Sequence, residues 1–167
     1  MNGVTIRQAE ASDDRAGIRR VEERAFGQAI EAKLVEQLIA DEDAVLELVA
    51  ERDGSIVGHV LFSRLAVEAA AVRFDAVALA PLAVDPDFHS QGIGSALVET
   101  AHARLKADGE KLSVVLGDPT YYRRFGYAHA QAAGFESDYQ GEALQALAWG
   151  EAPTTGRLVY ARAFLAL

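Results

Sequence analysis

The sequence predicts an α/β (α+β) domain, and three observations lead there. Two β-rich runs, AVLELVAE and SIVGHVLFSRLAVE, are joined by Arg52-Asp53-Gly54-Ser55, and Asp-Gly between such runs marks a hairpin. Two stretches ahead of them carry apolar residues at helical spacing. Further on, one helical stripe separates the two most apolar strands, as in a crossover connection. At 167 residues the chain has the length of one ordinary domain with a single sizeable core, so residues 1–167 are expected to form one domain.

Taken in order, VTIRQAE alternates and reads as a first strand. ASDDRAGIRRVEERAF follows as a helix, with Ser12 or Asp13 as its cap and Ile18, Val21, Ala25 and Phe26 as its apolar stripe. Gly27 ends it. A second helix is expected from Ile30 to Ala40, with Ile30, Leu34, Leu38 and Ile39 on one face. After the hairpin, VRFDAVALAPLAV supplies a strand that Pro81 interrupts; proline donates no ladder hydrogen bond, so the strand is expected to be bulged or at an edge there. From Gly92 the pattern turns helical, with Ile93, Leu97, Ala101 and Leu105 aligned and Gly109 as its C-terminal stop. KLSVVLG reads as a short apolar strand at the centre of a sheet. A brief helix is expected over residues 119–125, a strand from Tyr127, a helical turn or two around residues 142–147, and a closing strand in GRLVYARAFLAL.

Composition narrows the function. Half of the residues are hydrophobic and a quarter charged, the balance of a soluble globular chain. A formal net charge of −9 argues against nucleic acid, which needs a basic face. It fits cationic or amine substrates, and equally a solvated acidic surface. With no cysteine there is no disulfide, thiolate metal site or cysteine-bound acyl intermediate. The start lacks the apolar core of a signal peptide and no apolar run is long enough to span a bilayer, so a cytoplasmic protein with no membrane partner is expected. No two of His59, His89, His102 and His129 have metal-ligand spacing, and no metal is expected. His102, in mid-helix, and His129 read as structural.

The stretch DPDFHSQGIGSALVE places two glycines, Gly92 and Gly94, where a strand becomes a helix. Such a turn offers backbone N–H groups and the positive end of a helix dipole to an anion, and glycines let the anion come close; a plain tight turn has the same look. A Walker A loop would need Gly-Lys-Ser/Thr, which is missing. A dinucleotide fingerprint would need a third small residue where Leu97 stands. What LAVDPDFHSQGIGSALVE does resemble is the acetyl-coenzyme A motif of the GCN5-related N-acetyltransferases (GNAT), a strand followed by Q/R-x-x-G-x-G/A and a helix. Downstream, YYRRFGY resembles that family's second signature, aromatic-Tyr-x-x-x-Gly-aromatic, at the family's spacing. LAPLAV, GDPTYYRRFGY and VYARAF are especially similar to a bacterial branch, the YhbS-like acetyltransferases.

The resemblance implies the acyl-CoA N-acyltransferase fold, a mixed and mostly antiparallel central sheet flanked by helices, whose central strands splay to admit acetyl-CoA. It also implies a ternary complex, with pantetheine along Leu82, Ala83 and Val84 and the pyrophosphate at Gly92, Ile93 and Gly94. Gln91 and Ser95 are extra donors. The sequence departs from the motif at His89, where Gln or Arg is usual, and at Ser90, where Gly is usual; a histidine still donates a hydrogen bond, and a charge when protonated. Tyr122 falls on the family's tyrosine and is expected beside the thioester sulfur, where its O–H protonates the leaving thiolate. Tyr121 and Phe125 are expected in the pantetheine wall or the core.

Acetyl transfer to an amine needs a neutral amine, a polarised carbonyl and a proton for the thiolate. With no cysteine and no Gly-x-Ser-x-Gly elbow, direct attack is expected. The strand before the loop carries no glutamate, so Glu68, His59, Glu22 and Glu23 are candidate bases by residue type alone, and a water relay or an amine that arrives deprotonated would serve equally. The expected acceptor is a primary amine of a small molecule or peptide, and a homodimer is the candidate assembly. Two alternatives stay open: a non-catalytic acyl-CoA-binding module on the same fold, and a nucleotide-binding enzyme using the Gly92-Ile93-Gly94 loop.

Overall fold

The computed structural model describes residues 3–167. Strands β2 (Ala44–Arg52) and β3 (Ser55–Ala69) pair antiparallel and close on each other at Arg52 and Ser55. The turn residues Asp53 and Gly54 both have positive φ, 51° and 79°, as a two-residue turn matched to the strand twist requires. On one side of this hairpin lies β1 (Val4–Gln8), on the other β4 (Val72–Val84), both antiparallel to their neighbours. The chain then crosses through α3 (Ile93–Ala107) to β5 (Leu112–Leu116), which runs parallel to β4. Strand β7 (Leu144–Ala148) pairs antiparallel with β5, completing the order β1-β2-β3-β4-β5-β7. A short β6 (Phe135–Glu136) and β8 (Gly156–Val159) extend the far end of β3.

Helices cover both faces. On one, α1 (Arg15–Phe26) and α2 (Ile30–Ala40) bury Ile18, Val21, Leu34, Val35 and Leu38 against Val49, Ile56 and Leu61. On the other, the α3 stripe of Ile93, Leu97, Ala101 and Leu105 packs on Leu48, Val60, Phe62, Val77 and Leu79. Each of these side chains larger than alanine contributes about 1.5–3 kcal/mol. Pro81 lies at a β-bulge: Val60 pairs Leu82 and Phe62 pairs Leu79, so Ala80 and Pro81 together oppose Leu61. The bulge expected from the proline is present, in an interior strand.

Several expectations are corrected. The first helix is preceded by Asp14, not Ser12 or Asp13, and Asp14 turns away from the helix to accept from Arg7 Nη1 and Nη2 (2.7 and 3.0 Å) and the Glu10 N–H (2.7 Å). Phe26 and Ile30, expected on buried stripes, are exposed. Strand β5 lies one place in from the sheet edge. No strand starts at Tyr127; Ala128 makes a single bridge with Ala146, and a 3-10 turn follows at His129–Gln131. Residues 142–147 hold strand β7 instead of a helical turn. Leu144, Gln145 and Ala146 are buried in succession, so no alternation marked the strand. The closing strand stops at Val159, and Arg162–Ala166 is a 3-10 turn.

Tyr127 is buried, and its hydroxyl joins Ser113 Oγ (2.7 Å) to His102 Nε2 (2.9 Å). His102 sits among Phe62, Phe125, Tyr127 and Trp149, the structural role expected of it. Burial, with Lys106 nearby, lowers its pKa from 6.5 to about 4. The unfolded chain therefore binds more protons between these values, so stability present above pH 6.5 is lost as pH falls toward 4. The expected loss is about 3 kcal/mol, measured as the urea midpoint across that range. His102→Asn should flatten this acid limb; an unchanged slope would contradict the assignment.

Candidate active site

The β4–β5 pairing covers only three pairs, Val77 with Ser113, Ala78 with Val114 and Leu79 with Val115. Beyond Leu79 the two strands separate at the Pro81 bulge. Ala83 pairs with His59, and the Asp85 N–H donates to the Val57 carbonyl (2.8 Å), so Ala83 and Asp85 turn their polar groups toward β3. Strand alternation leaves those of Leu82 and Val84 facing the gap. The strand then enters the loop to α3, where Ser90 and Gly92 have φ of 62° and 79°. No side chain caps α3. The N–H groups of Ile93, Gly94 and Ser95 thus have no intrahelical acceptor and mark the positive end of the helix.

These groups line a cavity of about 360 Å³, together with Leu82, Ala83, Val84, His89, Ser90, Gly92, Phe26, Tyr121 and Arg124. The two loop glycines serve different ends. Gly92 supplies the left-handed residue that starts the helix and would point a Cβ into open space. Gly94 makes room instead: a Cβ there would lie 2.7 Å from Tyr121 Oη and 3.6 Å from Val84 Cγ2. His89 lines the cavity, but its Nε2 donates to the Val84 carbonyl (3.0 Å). Its Nδ1 then offers a lone pair when the ring is neutral, and a proton only when it is charged. Gln91 is exposed and is not among the lining residues.

Two anchors were missed by sequence reasoning. Arg124 donates from Nε to the Tyr121 carbonyl (2.9 Å) and lays its guanidinium over the Tyr121 ring, 4.5 Å from the centroid. That puts a cation at the loop; YYRRFGY shows the arginine but not its direction. Asp85 is buried, takes Arg24 Nε and Nη2 (3.0 and 3.1 Å), and caps the Asp87 N–H (2.9 Å). Burial opposes its charge, yet the Arg24 hydrogen bond holds its pKa below the ordinary value. Asp85 therefore fixes the start of the loop to α1.

Tyr121, Tyr122 and Phe125 form an aromatic cluster, with Tyr121 and Tyr122 rings edge-on at 5.0 Å. The three part company from there. Tyr121 lines the loop cavity, while Phe125 packs on the α3 core and lines neither cavity. Tyr122 lines a second cavity of about 640 Å³ in the β4–β5 gap. Gly117 lets the Tyr122 ring pack close, since a Cβ there would lie 2.6 Å from Cε2. Burial raises the Tyr122 pKa, with Tyr121 adding to it, and the phenol stays protonated. Phe26 and Leu82 line both cavities, so the two meet there.

None of the four candidate bases lines either cavity. Glu23 is exposed, and Glu68 pairs with Arg157 (2.9 Å). His59 is fully buried between carboxylates, with Nδ1 2.6 Å from Glu22 Oε2 and Nε2 2.8 Å from Glu47 Oε2. Glu47 in turn accepts from Arg15. Burial opposes charge on His59, but the bonds to Glu22 and Glu47 outweigh it and raise its pKa. Glu22 is also raised, chiefly by burial, and its Oε1 has no hydrogen-bond partner among the described residues. The cluster ties α1 to β2 and β3.

Comparison with known proteins gives one family. A family model described as an acetyltransferase (GNAT) domain matches residues 5–130. The uncharacterized N-acetyltransferase YjhQ of Escherichia coli K12 is 41% identical over 116 residues, which are 68% of this chain and 64% of YjhQ, so the chain spans just under two thirds of that relative. The uncharacterized N-acetyltransferase YhbS of the same strain is 38% identical over 121 residues, 72% of this chain and 71% of YhbS. Among solved structures, E. coli YhbS in complex with CoA superposes with a TM-score of 0.88 at 33% identity, covering 97% of this chain and 92% of the other. A GNAT family acetyltransferase from Brucella melitensis in complex with acetyl-CoA gives 0.82 at 32% identity, covering 98% and 99%.

The His59 cluster generates a stability prediction opposite in sign to that of His102. A raised imidazole pKa means that the folded chain holds the extra proton, so its stabilisation is full below about pH 6.5 and is lost as pH rises through the folded value. Glu22 slopes the same way from its own lower starting point. Urea midpoints should fall as pH rises above about 6.5 in the parent chain and fall less in His59→Gln. Equal slopes in the two proteins would contradict the raised value.

Proposed function

Because the chain belongs to the GNAT acetyltransferase family, we propose that it binds acetyl-CoA and transfers the acetyl group to a primary amine of a small molecule or peptide by direct attack in a ternary complex. The observation that carries this reading is the meeting of the two cavities at Phe26 and Leu82, one ending on the uncapped α3 amides and the other passing Tyr122. The residues fit the co-substrate. Its pyrophosphate takes the N–H groups of Ile93, Gly94 and Ser95, with the Arg124 guanidinium beside them. Leu82 and the Val84 N–H receive pantetheine as an added strand, while the Val84 carbonyl is held by His89. We further propose that residues 1–167 act as one domain, in the cytoplasm; no helix among the described residues is long and apolar enough to cross a membrane.

Acetyl-CoA supplies the activated thioester. The amine nitrogen forms the new C–N bond, the C–S bond breaks, and the thiolate leaves. Tyr122 donates a hydrogen bond to the sulfur as its charge grows. The proton that finally neutralises the thiolate is the one the attacking nitrogen gives up, passed directly or through the Tyr122 phenol, which burial keeps protonated.

Tyr122→Phe is expected to lower kcat by roughly 10–100-fold while leaving acetyl-CoA affinity unchanged. Unchanged turnover would reduce Tyr122 to a packing residue. Gly92→Glu should weaken acetyl-CoA binding by about 100-fold or more, through a strained φ and a carboxylate facing the pyrophosphate. Calorimetry reads this directly; tight binding by the variant, or stabilisation of the parent by ATP or NAD and not by acetyl-CoA, would move the phosphate site elsewhere.

A further inference from the structure

Resting on the acetyl-transfer reading above, we propose that the acceptor is a small primary amine with an apolar, ring-sized body and no carboxylate, its ammonium group drawn to Glu31 and Asp118 and giving one proton to water before the neutral nitrogen attacks. Large apolar side chains are costly to expose, and a group of them around a concavity marks a binding surface. Among the described residues seven large hydrophobic side chains are exposed, and five of these, Phe26, Ile30, Leu116, Tyr139 and Leu167, line the Tyr122 cavity. Tyr160 and Phe164 deepen its wall, their rings 5.4 Å apart, with Tyr139 edge-on to Tyr160 at 5.4 Å. Such a wall rewards an apolar body and leaves sugar hydroxyls or a second ammonium without partners.

Charge supplies the rest. Among the described residues, Glu31 and Asp118 are the only charged side chains in the lining. Both have neutral partners: Gln28 Nε2 lies 3.1 and 3.2 Å from the Glu31 oxygens, and Asp118 Oδ1 accepts from the Thr120 N–H (2.9 Å). Neither forms an ion pair among the described residues. A monocation is attracted to this rim, and the aromatic faces favour it further. A carboxylate on the acceptor is repelled by the same two groups. A longer acyl chain on the donor would fill the apolar wall but leave the two carboxylates unanswered, which favours the amine as the occupant.

The test is a calorimetric titration of the full chain saturated with CoA, using 2-phenylethylamine, L-phenylalanine and spermidine, followed by acetylation assays with the same amines. The expected result is that 2-phenylethylamine binds and is acetylated about tenfold or more better than the other two. Glu31→Gln and Asp118→Asn are expected to raise its dissociation constant several-fold, about threefold to tenfold, and to leave acetyl-CoA affinity unchanged. Equal or better use of L-phenylalanine or spermidine would overturn the proposal and leave the acetyl-transfer reading intact. Tighter binding of octanoyl-CoA than of acetyl-CoA would do the same, by giving the cavity to the acyl chain. Failure of CoA and acetyl-CoA to bind would overturn the acetyl-transfer reading, and this proposal with it.

Discussion

The parallel pairing of β4 with β5 ends at Leu79, and the rest of the site depends on that ending. A strand in mid-sheet normally spends its N–H and C=O groups on both neighbours, and leaving them unpaired away from water is costly. Here the Pro81 bulge turns β4 aside just as the pairing stops, so Leu82 and Val84 continue with one side open. The fold therefore carries, inside its sheet, an edge suited to an extended polar ligand. His89 covers one of the open carbonyls, that of Val84, and so leaves a shorter edge than the backbone alone would offer.

Two ionic ties hold this gap in shape from the same helix. Near the end of α1, Arg24 grips Asp85, where β4 becomes the loop. Two residues earlier, Glu22 reaches His59, which Glu47 grips from the other side. Both ties are buried on the carboxylate side, where breaking one partner is far more damaging than losing an exposed pair. Their joint effect is to fix the last turn of α1, and with it Phe26, at the point where the two cavities meet. The histidine that the sequence offers as a base is thus a brace for the site.

The parts of the fold that could be read ahead of the structure are those written in local spacing. The Asp53-Gly54 turn, the α3 stripe, the glycine loop and the Tyr122 signature each lie within a few residues, and the GNAT resemblance joined them in order. The parts that escaped depend on partners far along the chain. Strand β7 is buried on consecutive residues and has no period to betray it. Phe26 and Ile30 look like core residues by spacing, yet they face a cavity whose other walls come from β4, from residues 114–122 and from residues after 138. Asp85 has no mark beyond preceding a proline, because its partner Arg24 lies 61 residues away. Gly94 was legible as a glycine that matters, but the atom it makes room for, Tyr121 Oη, is not.

On the proposed function, the open side of β4 and the uncapped start of α3 together receive acetyl-CoA. Residue-resolved amide hydrogen exchange, with and without saturating acetyl-CoA, tests it most directly. The N–H groups of Leu82, Val84, Ile93, Gly94 and Ser95 are expected to become protected by about tenfold or more, while that of Ala83, already turned to β3, changes little. Demonstrated acetyl-CoA binding with unchanged exchange at Leu82 and Val84 would contradict it.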